Sequence, residues 1–384
     1  MSNMKEKLLI ITGSRSTYGL WRPIIKQMLK SKILAPKVLI TGMHTLKEFG
    51  YTANEVKKDK FPIAAIVKIS EKDDMLRHLT KEIEGIRKYC LGNKVDGIFV
   101  LGDTDHMLAG AVVAGHLNIP LFHIAGGDLS GFVVDSAIRH AITKFSNIHF
   151  TATKNGARRV AAMGEERWRI FNVGAPGLVG LSKIKFLSKK DLAKNLGLNV
   201  SKKWTIVLQH ATPLDKVAFI SQIRPLLRAV SYLDGEKIII YPNSDTGSDT
   251  IIKEIDKYSP RKDFHIFKTL PRKTYLNLFK TADLLIGNSS SGIVESTFFK
   301  LPTVDVGNRQ NDRERGKNVI HCDYDGKSIK AALAKMESKD FRELCKKAKS
   351  PYGNGAMNKL VVKITEQVIN RKDLLIKKHF SKLT

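Results

Sequence analysis

Apolar residues in this chain cluster in short runs of strand length, separated by longer stretches whose apolar positions recur at helical spacing. The first series runs "KLLIITGS", then Trp21–Lys30; "KVLITG", then a lysine-rich segment; "GIFVLGD", then Met107–His116; "PLFHIAGGD", then Ser136–Ser146; and "IHFTAT". Near-continuous apolar runs alternating with helices predict parallel strands buried on both faces, as in a doubly wound sheet. Gly and Pro become dense at "VGAPGLVG", so an interdomain hinge is expected near Asn172–Gly180. The rhythm then restarts with "WTIVLQH", "KIIIYPNS", "FHIFKTL", "DLLIGNSSSG" and "PTVDVGN". The expected fold class is therefore α/β, with two Rossmann-like doubly wound domains facing a cleft. The expected division is 1–175, 176–358, and a C-terminal helix over 359–384 that packs back on the first domain.

Composition narrows the picture in two ways. With 384 residues and 42% hydrophobic content, the chain can bury two cores. No apolar window approaches the roughly 18 residues that span a bilayer, so a soluble cytoplasmic protein without a membrane partner is expected. Cys90, Cys322 and Cys345 lie far apart without C-x-x-C spacing, which points to packing residues and to no metal site. The net charge of +28, from 65 basic and 37 acidic residues, invites a nucleic-acid hypothesis. Lysines are nevertheless scattered through every expected helix, and no zinc-finger or aromatic–basic motif accompanies them, so no nucleic-acid partner is expected.

Ligands of open parallel sheets bind beyond the carboxyl ends of the strands, and the polar motifs fall there. "GSRSTYG" lacks dinucleotide and Walker spacing but offers Arg15, a cation suited to phosphate or to a plain surface position. "VLGDTDHMLAG" puts Asp103 just past a buried strand, placed for proton transfer or for capping the next helix. Asp128 and Asp135 lie in and after the Gly-rich loop of "HIAGGDLSGFVVDSAIRHAITK", and the spacing of Asp135 and Arg139 fits a helix-surface ion pair. His210 ends "WTIVLQH". In "GNSSSGIVES", Ser289, Ser290, Ser291 and Gly292 form a small-residue turn, with Ile293, Val294, Phe298 and Phe299 spaced as a following helix. That turn suits a diphosphate; alternatively one serine caps the helix. Carboxylates and a histidine beside anion-binding groups, without a metal motif, point to acid–base chemistry on a phosphorylated or nucleotide-linked substrate.

Taken together, "GSRSTYG", "GDTDHMLAG", "HIAGGDLSGFVVDSAIRHAITK", "VLQHATPLD", "IIIYPNSDTGS", "GNSSSGIVES", "PTVDVGNRQNDRERG" and "SPYGNGAMNKLVVKI" resemble the hydrolysing UDP-N-acetylglucosamine 2-epimerases of sialic acid biosynthesis and their relatives in legionaminic acid pathways. The resemblance covers nearly the whole chain in order. It implies a glycosyltransferase-B type fold, a nucleotide-sugar substrate, a homodimer or homotetramer, and no redox cofactor. It implies a path in which the C2 proton is removed as the nucleoside diphosphate leaves C1, followed by addition of water with inversion at C2. By resemblance, Asp103 and Asp135 are the acid–base candidates, with Asp128 joining them if it takes over a glutamate of the family motif, and His210 contacts or assists the leaving diphosphate. The three serines and Gly292 would hold the diphosphate and Glu295 the ribose, with Asn243, Arg15, Arg313 and Arg309 completing the nucleotide site. One departure stands out: many relatives carry a glutamate where this chain has Ala125, and Asp128 replaces a longer glutamate. The departure leaves open a GDP-linked 2,4-diacetamido sugar as substrate, or a silent nucleotide-sugar-binding relative.

Overall fold

The structure, a computed structural model, describes residues 4–129, 135–243 and 245–375; the side chain of Asp135 lies outside the described residues. The chain divides into two compact units, the first taking the chain to Ser182 and again from Tyr352, the second Lys183–Pro351.

The first unit is built on seven parallel strands: β1 (Glu6–Thr12), β2 (Leu34–Ile40), β3 (Ile63–Ile66), β4 (Gly97–Leu101), β5 (Leu121–Ile124), β6 (Ile148–Thr151) and β7 (Ile170–Asn172), in the order β3-β2-β1-β4-β5-β6-β7. The central strands are covered on both faces, which is why they read as near-continuous apolar runs broken only by His123, His149 and Thr151: all five residues of β4 and all four of β5 and β6 are buried. Phe99 and Phe122 pair across β4 and β5 and stack with centroids 4.6 Å apart. The two edge strands are less covered: β3 has no buried residue and β7 has three residues, none of them buried.

The first helix, Arg15–Met28, begins six residues ahead of its expected start. Its first turn opens on exposed Arg15 and Ser16 before buried Thr17 and Tyr18, and Ser14 caps it by accepting the Thr17 N–H at 3.3 Å. The chain returns to this unit through Tyr352, whose carbonyl accepts the Ala175 N–H at 2.8 Å. The helix Met357–Val368 then packs on Arg15–Met28, with Asn358 donating to the Pro23 carbonyl and Ser31 to Glu366 at 2.5 Å. Buried Arg169 fastens the segment beyond it, donating to the carbonyls of Asp373 at 3.2 Å and Leu374 at 2.8 Å.

The second unit repeats the plan with six parallel strands: β8 (Trp204–Leu208), β9 (Glu236–Ile240), β10 (Phe264–Phe267), β11 (Leu284–Gly287), β12 (Thr303–Val306) and β13 (Val319–Cys322), in the order β10-β9-β8-β11-β12-β13. In each sheet the order reverses once, between β1 and β4 and between β8 and β11. At such a switch the connections leave in opposite directions and open a crevice at the strand carboxyl ends. No helix among the described residues is long and apolar enough to cross a membrane. The three cysteines are buried, and burial pushes their thiols up, to about 11 for Cys90 and Cys345 and about 12 for Cys322.

Candidate functional site

At the switch of the first sheet, β4 ends in Gly102, whose φ of +82° turns the backbone through the left-handed region and delivers Asp103 to the carboxyl edge. The Asp103 carboxylate is held by the guanidinium of Arg139 on the helix Asp135–Phe145. Arg139 is 5% exposed, and it also faces Asp128 at 3.9 Å and the Ala125 carbonyl at 3.5 Å. The i,i+4 spacing with Asp135 suggested a surface pair; the structure instead turns this cation inward, toward two carboxylates delivered by the ends of β4 and β5. One buried guanidinium offsets the repulsion that would otherwise separate Asp103 and Asp128. Asp103 thus does not cap the helix behind it, whose cap position is Thr104.

A layer of imidazoles supports this edge. His123 bonds the Gly102 carbonyl at 2.8 Å through Nε2 and meets Thr143 at 3.3 Å, while Thr143 donates to the Arg139 carbonyl at 2.9 Å. Burial lowers His123 and His106 to about 3 and His44 to about 4. Burial raises Glu82, which accepts from Thr41 at 3.1 Å, to about 7. Arg15, by contrast, is 75% exposed and paired with Glu55 at 3.2 Å.

At the switch of the second sheet, Asn288 spans the gap between β8 and β11. Its backbone N–H donates to the Leu208 carbonyl at 3.0 Å, its Oδ1 accepts the His210 N–H at 2.7 Å, and its Nδ2 donates to the His210 carbonyl at 2.9 Å. Gln310 and Arg309 donate to the Asn288 carbonyl at 3.0 and 3.3 Å. His210 is thereby fixed at the end of β8. Its Nδ1 accepts the Asn243 N–H at 3.0 Å, so the neutral ring carries its proton on Nε2. Burial, and then Arg309, lower its pKa to about 4. The Asn243 side chain donates to Asp245 at 2.7 Å.

Gly287, at φ +139°, lies so close to the Leu208 carbonyl that a Cβ would collide with it, and the chain turns from there into the serines. None of the three caps a helix. Ser290–Gly292 is a single 3₁₀ turn, and the α-helix behind it, Glu295–Phe299, has five residues with Val294 at its cap. The helix expected from Gly292 onward is therefore shorter and starts later, and it offers little macrodipole to an anion. Hydroxyls take its place: Ser289 Oγ lies 2.8 Å from Ser291 Oγ, which lies 2.5 Å from Tyr275 Oη. Burial raises the Glu295 carboxyl, opposed by the nearby cations Arg272 and Arg313.

The structure thus brings Asp103 and Asp128 together in the first unit. In the second it joins His210 to Asn243, and gathers Ser289, Ser291, Glu295 and Arg313 around one turn. Sequence reasoning left out Tyr275 and gave Asn288 no role in the site. Tyr275 precedes Phe279 by four residues and packs against it at a tilt, ring centroids 4.7 Å apart, a spacing that reads as core. The strand-end position of Asn288 was the available signal.

Two doubly wound parallel units in one chain are the plan of the glycosyltransferase-B type fold. A solved Neisseria meningitidis UDP-GlcNAc 2-epimerase bound to UDP-GlcNAc has this fold, matching with a TM-score of 0.80 at 18% identity over 94% of this chain and 100% of that one. The family model described as UDP-N-acetylglucosamine 2-epimerase matches residues 26–366, and the chain belongs to that family. A Legionella pneumophila UDP-N,N'-diacetylbacillosamine 2-epimerase (hydrolyzing) is 35% identical over 91% of this chain and 92% of its own. A Neisseria meningitidis UDP-N-acetylglucosamine 2-epimerase is 32% identical over 87% and 90%.

The buried histidines set an expected acid response. A histidine whose folded pKa lies below its free value of 6.5 takes up its proton more readily once unfolded, so the stability it contributes is present above 6.5 and lost as pH falls toward the folded value. His44, His106, His123 and His210 share that window. Glu82 runs the other way, its contribution fading as pH rises through about 7. Four groups outweigh one, so the thermal unfolding midpoint should fall continuously from pH 6.5 to 4; a flat profile there would show these rings to be solvated.

Proposed function

We propose that this chain is a hydrolysing 2-epimerase that converts a UDP-linked 2-acetamido sugar into the free 2-epimer and UDP, with UDP-N-acetylglucosamine giving N-acetylmannosamine. The observation that carries the reading is the convergence of Asp103 and Asp128 on Arg139 at a sheet switch, in a chain of this family. One carboxylate takes the C2 proton. The C1–O bond to the diphosphate breaks, its electron pair leaves with UDP, and a C1=C2 double bond forms. Water then adds its hydroxyl to C1 while a proton is returned to C2 from the opposite face. Asp135 supplies a third carboxyl group for these transfers. His210, neutral at pH 7, donates from Nε2 to the departing diphosphate, which carries the developing charge.

In the same reading the nucleotide rests on Ser289, Ser290, Ser291 and Gly292, with Glu295 taking ribose hydroxyls and Arg15, Asn243 and Arg313 assisting. A second substrate, UDP-N,N'-diacetylbacillosamine, is favoured by the 35% identity to the Legionella enzyme of that name. Incubating the protein with each UDP-sugar and with the GDP-linked diacetamido sugar, then separating nucleotides by anion exchange, decides among them. Free UDP and a free 2-epimer are expected. Interconversion of UDP-sugars with the nucleotide still attached would rule out the hydrolytic mode, and bound but unconverted sugar would support a silent relative.

A further inference from the structure

Three hydroxyls meet beside the Ser-rich turn, and one comes from outside it. Tyr275, on the helix Arg272–Thr281 that precedes β11, reaches Ser291 at 2.5 Å, and Ser291 reaches Ser289 at 2.8 Å. Ser291 is buried, whereas Ser289 and Ser290 are half-buried. Each hydroxyl has a single proton to donate, so the direction of the chain decides which group presents a donor outward. We propose that Tyr275 is a positioning residue that orients the Ser291 and Ser289 hydroxyls so that Ser289 presents its proton to the diphosphate of a bound nucleotide; this rests on the reading that the turn holds that diphosphate.

A phenol is a better donor than a serine hydroxyl. Tyr275 Oη gives its proton to Ser291, Ser291 gives its own to Ser289, and the Ser289 proton is left for an anion. In the reverse direction the turn would present lone pairs to a negative charge. Burial first, and the Glu295 charge second, push the phenol above its ordinary range, against its hydrogen bonds to Ser291 and Ser289, and keep it protonated. Hydrogen bonds in such a chain polarise one another, so the last donor is strengthened by the first. The five-residue helix behind the turn supplies little field of its own, which leaves these hydroxyls as the turn's principal oriented donors.

Tyr275→Phe keeps the ring and its packing against Phe279 and removes only the hydroxyl. Calorimetry with UDP should show a loss of about three- to fifteenfold in affinity, the effect of one hydrogen bond. Uridine, followed by competition and lacking phosphate, should bind as to wild type. Ser289→Ala should weaken UDP comparably, and the double variant should lose less than the product of the two, because both cut one chain. Equal losses for UDP and uridine, unchanged UDP affinity in Tyr275→Phe, or independent losses in the double variant would each overturn the inference. If Ser289→Ala and Ser291→Ala both bind UDP as wild type, the diphosphate lies elsewhere and the reading of the turn fails with it.

Discussion

Asp103→Asn is expected to lower turnover by about 10²–10⁴, as for loss of a general acid or base, while UDP affinity stays near wild type. The amide keeps the shape of the carboxylate and an oxygen for Arg139 but can no longer carry a proton in the transfers proposed above. Asp128 faces the same guanidinium at 3.9 Å, so Asp128→Asn is expected to behave alike if it carries the role that the resemblance gives to a longer acid. Asp135→Asn belongs to the same series. If Asp128→Asn turns over nearly as wild type while the other two are dead, Asp128 serves the loop, and Asp103 and Asp135 share the proton work. Normal turnover in all three variants would remove the acid–base assignment altogether.

The second large effect is expected at Arg139. Arg139→Met should destabilise the protein by about 3–5 kcal/mol, because removing one partner of a buried ion pair leaves the other charge uncompensated. Here two carboxylates lose the same cation. Turnover should fall with stability, by at least a hundredfold under conditions where the variant is folded. Arg139→Lys separates the two roles: it restores positive charge but not the planar fork that reaches Asp103, Asp128 and the Ala125 carbonyl together. It should recover much of the stability and little of the turnover. Denaturant titration beside steady-state rates reads both, and a Met variant with wild-type stability and rate would contradict the arrangement.

How much of the fold is legible in the sequence depends on burial. β1, β4, β8 and β9 stand out because both faces are covered and each carries a core of three to four consecutive apolar residues, Leu8–Ile11, Ile98–Leu101, Ile206–Leu208 and Ile238–Ile240. β3, β7 and β13 pass unnoticed because an edge strand is half solvated and needs only three or four residues to pair, as "IAAI", "IFN" and "VIHC" do. Asp103, Asp128 and His210 were legible as candidates because polar residues directly after such runs fall on the ligand edge of a parallel sheet. Arg139 was misread for a related reason. Its spacing from Asp135 supplied a local partner, while Asp103 and Asp128 come from distant segments whose approach only the strand order reveals. Around the serines the composition of the turn was informative and the helix was not, since of the four apolar residues at helical spacing only Phe298 and Phe299 lie in the helix, while Ile293 and Val294 precede it.

The account turns on proton removal at C2. Running the reaction on the UDP-sugar that proves to be the substrate in deuterium oxide, and examining the free 2-epimer by mass spectrometry and proton NMR, tests it most directly. Elimination followed by hydration predicts one deuterium at C2, introduced from solvent when water adds across the double bond. Product that retains the original hydrogen at C2 would contradict the elimination path and the roles given to Asp103 and Asp128.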